Sequence, residues 1–156
     1  MARTEYYNDP AAPKPNSIVV AVTVFVTDSK GRVLLIRRTD NGLWAIPGGA
    51  QDFGEYIAET AVRETKEESG VDIRVAGVVG IYTDPKHVMS YSDGEVRQQF
   101  SICFLGECLG GNPTPSSESS EVRWVSRAEL DQFSIHPSMR LRIEHGYEQR
   151  PKPYIG

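Results

Sequence analysis

The sequence lacks several features that mark large classes of protein. It has no run of about 18 apolar residues, the length that a membrane-spanning helix needs. Its formal net charge of -4 gives no excess of Lys and Arg to bind polymeric nucleic acid through the phosphates. Its first residues, MARTEYYNDPAAPKPNS, lack the apolar core of a signal peptide. We therefore expect a cytoplasmic protein that contacts neither a membrane nor polymeric nucleic acid.

Cysteine is also scarce, with Cys103 and Cys108 the only two. They fall in one predicted strand at a spacing that places them on opposite faces, so their thiols should not meet. This predicts neither a disulfide nor a metal-binding knuckle. We expect both side chains to be reduced and to pack as small hydrophobes.

Length and composition predict one domain with short extensions at both ends. The chain has 156 residues, 39% of them hydrophobic, which is enough for a core of its own. Residues 1–16 carry three prolines and few apolar anchors, and are predicted to form an extended N-terminal arm. Residues 17–146 form the predicted single domain, and residues 147–156 form a flexible C-terminal tail.

Apolar patterning predicts strands that alternate irregularly with helices. Runs rich in β-branched residues start at Ile18 and Arg32 and form a hairpin. Further strands are predicted over 73–83, over 96–109 and at EVRWV. The segment 84–99 is predicted to be a loop, long enough to close over a base or ribose. This order of elements favours an α/β fold with a mixed sheet flanked by helices.

The most regular helix is predicted between Glu55 and Ser69, and Gly70 stands where a C-terminal cap belongs. Its apolar positions recur at helical spacing, and they are Ile57, Ala58, Ala61, Val62 and Thr65. Shorter helices are predicted after Ser126 and from Pro137.

Beside that apolar stripe the helix presents an acidic patch. A rotation of about 100° per residue places Glu64, Glu67 and Glu68 within roughly a 100° arc. Arg63 and Lys66 are candidate counter-charges on a solvated face, but they leave Glu64 and Glu68 without a partner on their own side. Three converging carboxylates suit Mg²⁺ or Mn²⁺, which take oxygen ligands.

The segment that holds this patch, GAQDFGEYIAETAVRETKEESGV, resembles the Nudix box, G-x5-E-x7-R-E-U-x-E-E-x-G-U, in which U is apolar. The charged and glycine positions of the box are all matched, by Gly49, Glu55, Arg63, Glu64, Glu67, Glu68 and Gly70. Val71 fills the last apolar position, whereas Thr65 departs from the pattern at the middle one. Such a match has chance odds of roughly one in 10⁸ per window. The sequence is therefore similar to the Nudix hydrolases.

The resemblance implies a Nudix-type α/β/α sandwich and a role for each matched residue. The metal ligands that it implies, for Mg²⁺ or alternatively Mn²⁺, are Glu64, Glu67, Glu68 and the backbone carbonyl of Gly48. Arg63 and Glu55 match residues that steady the acidic cluster through paired hydrogen bonds. The residues expected to be catalytic are Arg63, Glu67, Glu68 and Glu118.

Glu118 lies outside the box, on the loop before the last strand, where the family often carries a ligand or a general base. It stands at a matching distance before Trp124 in PSSESSEVRW, and Glu121 is the competing choice. A general base takes a proton from the attacking water. For that role Glu68, Glu118 and Glu121 all stay open.

The implied activity is metal-dependent hydrolysis of the diphosphate linkage in a nucleoside diphosphate derivative. Such a substrate is a nucleoside triphosphate, an oxidised nucleotide, ADP-ribose or a similar molecule. The alternative is a Nudix-like module that binds such a nucleotide without cleaving it. We expect this small molecule as the partner, and a monomer or homodimer as the oligomeric state.

Overall fold

The protein, described for residues 3–156 by a computed structural model, is built from two β-sheets, two α-helices and one 3₁₀-helix. Met1 and Ala2, at the start of the predicted arm, lie outside these residues. The strands are β1 (Arg3–Tyr7), β2 (Ser17–Ile18), β3 (Ala21–Thr27), β4 (Val33–Arg38), β5 (Trp44–Ala45), β6 (Gly48–Ala50), β7 (Val71–Tyr82), β8 (His87–Tyr91), β9 (Val96–Gln98), β10 (Ser101–Gly111), β11 (Ser119–Val125) and β12 (Tyr154–Ile155). The helices are α1 (Ile57–Ser69), the 3₁₀-helix (Arg127–Gln132) and α2 (Pro137–Glu148).

The larger sheet is mixed. Its strand order is β11-β4-β3-β10-β7-β12, with β5 paired to β4 and β6 paired to β3. β3 and β10 are parallel, whereas β10 with β7, β3 with β4, and β4 with β11 are antiparallel. The predicted α/β fold, a mixed sheet flanked by helices, is confirmed.

Both faces of the larger sheet are covered, so its central strands carry continuous apolar runs. β3 is buried at five consecutive positions. Val24 of β3 packs with Ala61 in a core on the α1 side, and Phe25 packs with Ile143 in a core on the α2 side. Alternate residues of one strand therefore enter opposite cores.

Cys103 and Cys108 follow the same alternation along β10. Cys103 is buried in the core on the α2 side, and Cys108 packs against the core on the α1 side. Both thiols are free. The prediction that the two side chains pack on opposite faces of the sheet is confirmed.

The smaller sheet has the order β1-β8-β9-β2, and its strands β1 and β8 lie in segments that the sequence predicts to be an extended arm and a loop. The prediction of a loop over 84–99 is wrong, because β8 and β9 lie within it and pair with each other. The strand predicted over 96–109 is split, since β9 and β10 belong to different sheets. β8 is short, and its second partner is β1, which is distant in the chain.

Both ends of the described chain take part in strand pairing. Within the predicted arm, Arg3–Tyr7 pairs antiparallel with β8. Within the predicted tail, Tyr154 and Ile155 pair in parallel with β7, and Thr83 N–H donates to the Gly156 carbonyl at 2.6 Å. The boundaries of arm, domain and tail stay predictions, but these two segments are parts of the sheets.

Helix α1 ends where the sequence predicts. The Glu59 carboxylate accepts a hydrogen bond from Tyr56 N–H at 2.7 Å, which satisfies a free donor at the start of the helix. Gly70 ends the helix in the left-handed conformation, with φ of 77°. Within residues 3–156, no helix combines the length and the apolar character that crossing a membrane requires.

The buried face of α1 differs from the predicted apolar stripe. Ala58 and Val62 are exposed, whereas Glu64 and Glu68 are buried. The reason is β6, whose glycines let the backbone approach the glutamate side of the helix. Tertiary packing therefore rotates the buried face toward the carboxylates.

Candidate active site

A cavity of about 300 Å³ lies where the glutamate side of α1 meets the first residues of β3 and β10. Small-molecule sites in proteins start at about this volume. Around α1 its wall is formed by Gly48, Gly49, Glu64, Glu68 and Glu118. The smaller sheet contributes Arg3, Glu5, His87, Met89, Tyr91 and Arg97.

Glu68 is the most buried carboxylate of this cavity, with 4% of the residue exposed. Its Oε1 accepts a hydrogen bond from Gly48 N–H at 2.8 Å. Burial raises the pKa of Glu68 to about 8, and the nearby charge of Glu64 acts in the same direction, against the Gly48 hydrogen bond. At neutral pH this carboxylate therefore needs a positive charge beside it in order to ionise fully.

Arg63 forms ion pairs with four carboxylates, one of which is Asp52 at 3.3 Å. Its Nε donates to Glu55 at 2.6 Å, and its Nη1 donates to Glu64 at 2.9 Å and to Glu67 at 3.2 Å. These bonds lower the pKa of Glu55 to about 2, whereas burial raises the pKa of Glu64. The expectation that Glu64 has no counter-charge is wrong, because the guanidinium reaches it along the helix. Within residues 3–156, Glu68 has no Lys or Arg nitrogen within 4.0 Å.

Glu67 does not line the cavity. Its side chain is 59% exposed, and its Oε2 lies 3.2 Å from Arg63 Nη1. One residue along an α-helix is a rotation of about 100°, which takes Glu67 off the face that Glu68 buries. The structure thus brings Glu64 and Glu68 together with Gly48, and the ligand role of Glu67 stays a prediction.

Gly48 and Gly49 allow the backbone of β6 to lie close to α1. A Cβ on Gly48 would overlap the Val22 carbonyl oxygen of β3. A Cβ on Gly49 would lie within 2.6 Å of both Glu64 carboxylate oxygens. At Gly48 a side chain would clash with backbone, whereas at Gly49 it would displace the Glu64 carboxylate.

The structure separates the two candidates on the loop before β11. Glu118 lines the cavity, and its charge raises the pKa of both Glu64 and Glu68. Glu121 lies outside it, and its carboxylate oxygens accept from Arg37 at 3.1 Å and from Arg123 at 3.0 Å. Only Glu118 shares the cavity with the box glutamates.

The sequence does not predict the part of the cavity wall that the smaller sheet forms. Glu5 lies in the predicted arm, and its carboxylate accepts a hydrogen bond from His87 Nε2. Burial raises the pKa of Glu5, but the His87 hydrogen bond and the charges of His136 and Arg3 outweigh it and lower the pKa to about 2. No local signal marks Glu5, because the pairing of β1 with β8 connects distant parts of the chain.

A second group of potential ligand atoms, all within 4.8 Å of one another, belongs to Glu5, His87 and His136. The hydrogen bonds of the His136 ring do not suit a metal ligand. The Nδ1 of His136 accepts from Ser138 N–H at 3.2 Å, so the Nε2 of the neutral ring carries its proton toward Glu5. A metal-binding His instead donates its second N–H to a neighbour. This cluster is therefore arranged around the Glu5 carboxylate, which accepts a hydrogen bond from His87 and lies 3.9 Å from His136 Nε2.

The donor set at α1 suits a hard divalent cation. Glu64, Glu68 and Glu118 offer only oxygen, and burial, together with repulsion from neighbouring carboxylates, raises the pKa of the first two. A divalent cation would remove this repulsion and compensate the burial. The residues present therefore fit Mg²⁺ or Mn²⁺.

Comparison with known proteins agrees with this geometry. The family model described as NUDIX domain matches residues 18–145. A putative 8-oxo-dGTP diphosphatase from Bacillus subtilis is 33% identical over 121 residues, which cover 77% of this chain and 74% of the relative. An ADP-ribose pyrophosphatase from Methanocaldococcus jannaschii is 31% identical over 114 residues, covering 70% of this chain and 63% of the relative.

Solved structures share the fold. An ADP-ribose pyrophosphatase from Streptococcus suis superposes with a TM-score of 0.66 at 22% identity, covering 90% of this chain and 100% of that one. The family match extends over most of the chain and includes the whole of α1. The chain belongs to the Nudix hydrolase family.

Proposed function

We propose that the protein hydrolyses the diphosphate linkage of a nucleoside diphosphate derivative with Mg²⁺ as its cofactor, and Mn²⁺ as the alternative. The observation that carries this proposal is the pair Glu64 and Glu68, two buried carboxylates in one cavity, of which only Glu64 has an Arg or Lys nitrogen within 4.0 Å among residues 3–156. Burying like charges together is costly unless a cation joins them.

Each residue around the cation has a separate task. The cation would be held by Glu64, Glu68, Glu67 and the Gly48 carbonyl, and when bound it supplies charge to the diphosphate and lowers the pKa of a water. Arg63 orients the Glu64 carboxylate through the hydrogen bond from Nη1, while its Nε and Nη2 both donate to Glu55. Glu68 releases its proton as the cation binds, so the apparent affinity for Mg²⁺ is expected to rise with pH toward about 8.

Glu118 is the residue that takes the proton of the attacking water. It lines the cavity, and among the described residues it forms no ion pair that would compete for the proton. Glu68 is less suited to this task because it is needed as a ligand and already accepts from Gly48. Glu121 is held by two arginines outside the cavity.

Substitution of Glu118 tests this assignment. Glu118→Gln is expected to lower kcat by roughly 10²–10⁴-fold with little change in melting temperature, since only proton transfer is lost. The matched control is Glu121→Gln, which changes a carboxylate on the same segment and should leave kcat within about twofold. Equal kcat in wild type and Glu118→Gln would remove Glu118 from the mechanism.

The substrate belongs to the class that the relatives' names indicate, either an oxidised or ordinary nucleoside triphosphate or an ADP-ribose-like molecule. The direct test offers purified protein with Mg²⁺ or Mn²⁺ a panel of nucleoside triphosphates, 8-oxo-dGTP, ADP-ribose, NADH, dinucleoside polyphosphates and nucleotide sugars. Release of phosphate, pyrophosphate or nucleoside monophosphate is followed. We expect turnover of at least one compound that is lost on addition of a chelator.

Binding without turnover anywhere on the panel would support the alternative, a nucleotide-binding module, and would contradict the proposal. The oligomeric state, monomer or homodimer, is checked on the same preparation by size-exclusion chromatography with light scattering.

A further inference from the structure

The buried polar atoms that lack a hydrogen-bond partner share one location. Within residues 3–156, four such side-chain atoms exist, namely Arg3 Nε, Thr23 Oγ1, Ser101 Oγ and Arg142 Nε. All four residues line the cavity of the active site. An unmade buried hydrogen bond costs about 1–3 kcal/mol, and native structures contain few of them. A ligand in this cavity would therefore lie beside all four residues.

Arg142 is the most unusual of the four. It lies on α2 and is 1% exposed, and no carboxylate of residues 3–156 lies within 4.0 Å of its guanidinium. Its contacts are weak: Nη1 lies 3.9 Å from Met139 Sδ, and Cζ lies 4.6 Å from the centre of the Tyr82 ring. A buried guanidinium in this setting requires strong acceptors from elsewhere.

The other arginines of the cavity differ from Arg142. Arg38 pairs with Asp40 at 2.7 Å, Arg97 pairs with Glu95 at 2.8 Å, and Arg3 Nε lies 3.6 Å from the Asp40 carboxylate. Their charges are already compensated within the protein. Arg142 is thus the cation that a ligand has to satisfy.

The ligand also meets an acceptor. The Oε1 of Glu5 accepts a hydrogen bond from His87, whereas among residues 3–156 the one cationic nitrogen within 4.0 Å of its Oε2 is Arg3 Nη2, at 3.9 Å. An anionic group would be repelled by this carboxylate. A neutral group that presents acceptors to Arg142 and Ser101 and an N–H to Glu5 satisfies all three residues.

We propose that this part of the cavity binds the nucleobase of the substrate and selects a 6-oxopurine over a 6-aminopurine. The inference rests on the proposed function, which places the diphosphate at the box glutamates. A guanidinium pairs with the adjacent O6 and N7 acceptors of a 6-oxopurine. The ring N1–H of such a base donates to Glu5. A 6-aminopurine turns a donor toward Arg142 and has no N1–H for the carboxylate.

The test uses inosine and adenosine, two nucleosides that differ in these groups and carry no phosphate. Binding to the metal-free protein is measured by NMR titration. Inosine is expected to bind at least about tenfold more tightly than adenosine, because a site built to hydrogen-bond a group rejects the analogue that lacks it. Equal affinity for the two nucleosides would overturn the proposal.

Variants assign the preference to residues. Arg142→Met keeps the buried stem and removes the donors, and it should abolish the preference for inosine. Arg140→Met is the control on the same helix, since Arg140 donates to the Phe133 carbonyl outside the cavity, and it should keep the preference. If Arg142→Met does not fold, Ser101→Ala provides the second variant and should lower the preference severalfold. An unchanged preference in the folded variant would contradict the assignment.

Hydrolysis of ITP and ATP separates this inference from the proposed function. If the wild-type protein prefers inosine but cleaves no compound of the panel, the subsite is supported and the proposed hydrolase activity is contradicted. If the protein cleaves ITP and ATP with equal kcat/KM and binds both nucleosides equally, the hydrolase activity is supported and the proposed subsite is contradicted.

Discussion

Replacing Glu68 by Gln is expected to lower kcat by roughly 10²–10³-fold or more at saturating Mg²⁺, while the fold is retained. Gln keeps the oxygen that accepts from Gly48 N–H but cannot supply a charged ligand. The measurement is steady-state turnover of the best compound from the substrate panel, with circular dichroism to check the fold. The control is Glu59→Gln on the same helix, which preserves the hydrogen bond to Tyr56 and should leave kcat unchanged.

The same substitution should stabilise the protein when no metal is present. The pKa of Glu68 is raised to about 8 in the folded state, so between about pH 4.5 and 8 the folded protein holds more of this proton than the unfolded chain does. The stability of the metal-free wild type therefore falls as the pH rises through that window. Glu68→Gln removes this loss, and at pH 8.5 its melting temperature should be higher by roughly 5–10 °C.

If metal-free Glu68→Gln melts at pH 8.5 no higher than metal-free wild type, burial does not raise the pKa of Glu68 as described. At pH 4.5 the two proteins should melt within about 2 °C of each other, since Glu68 is then protonated in the folded state. This internal comparison separates the titration from a general effect of the substitution on packing.

Gly49→Ala is expected to lower kcat/KM by about 10²-fold without unfolding the protein. The added methyl group would occupy the position of the Glu64 carboxylate, which must turn away from Arg63 and the cavity. The clash is with the end of a flexible side chain, so the backbone need not move. Gly77→Ala is the matched control, since its methyl group would meet only Leu105 at 3.9 Å. Wild-type activity in Gly49→Ala would show that the position of Glu64 is not critical.

The glutamate helix illustrates what local sequence predicts well. The spacing of Glu64 and Glu68 and the position of Gly70 are properties of one continuous segment, and the structure reproduces the helix and its C-terminal cap. The sequence does not predict correctly which face of the helix is buried. Val62 is exposed and Glu68 is buried because β6 packs against the acidic side, and helical periodicity alone does not contain that information.

The remainder of the cavity depends on contacts between distant segments. Glu5 reaches the site because β1 pairs with β8, and Arg142 reaches it because α2 covers the second face of the larger sheet. In sequence, Arg142 stands between Leu141 and Ile143 like any charged residue of an amphipathic helix. Only the fold shows that its guanidinium is buried without a carboxylate beside it.

The most direct test of the proposed metal centre is a crystal structure of the protein grown with Mn²⁺ and measured at the manganese absorption edge. The account predicts an anomalous peak within coordinating distance of the Glu64 and Glu68 carboxylates, close to the Gly48 carbonyl. A peak only at Glu5, His87 and His136, or no peak at a saturating Mn²⁺ concentration, would contradict it.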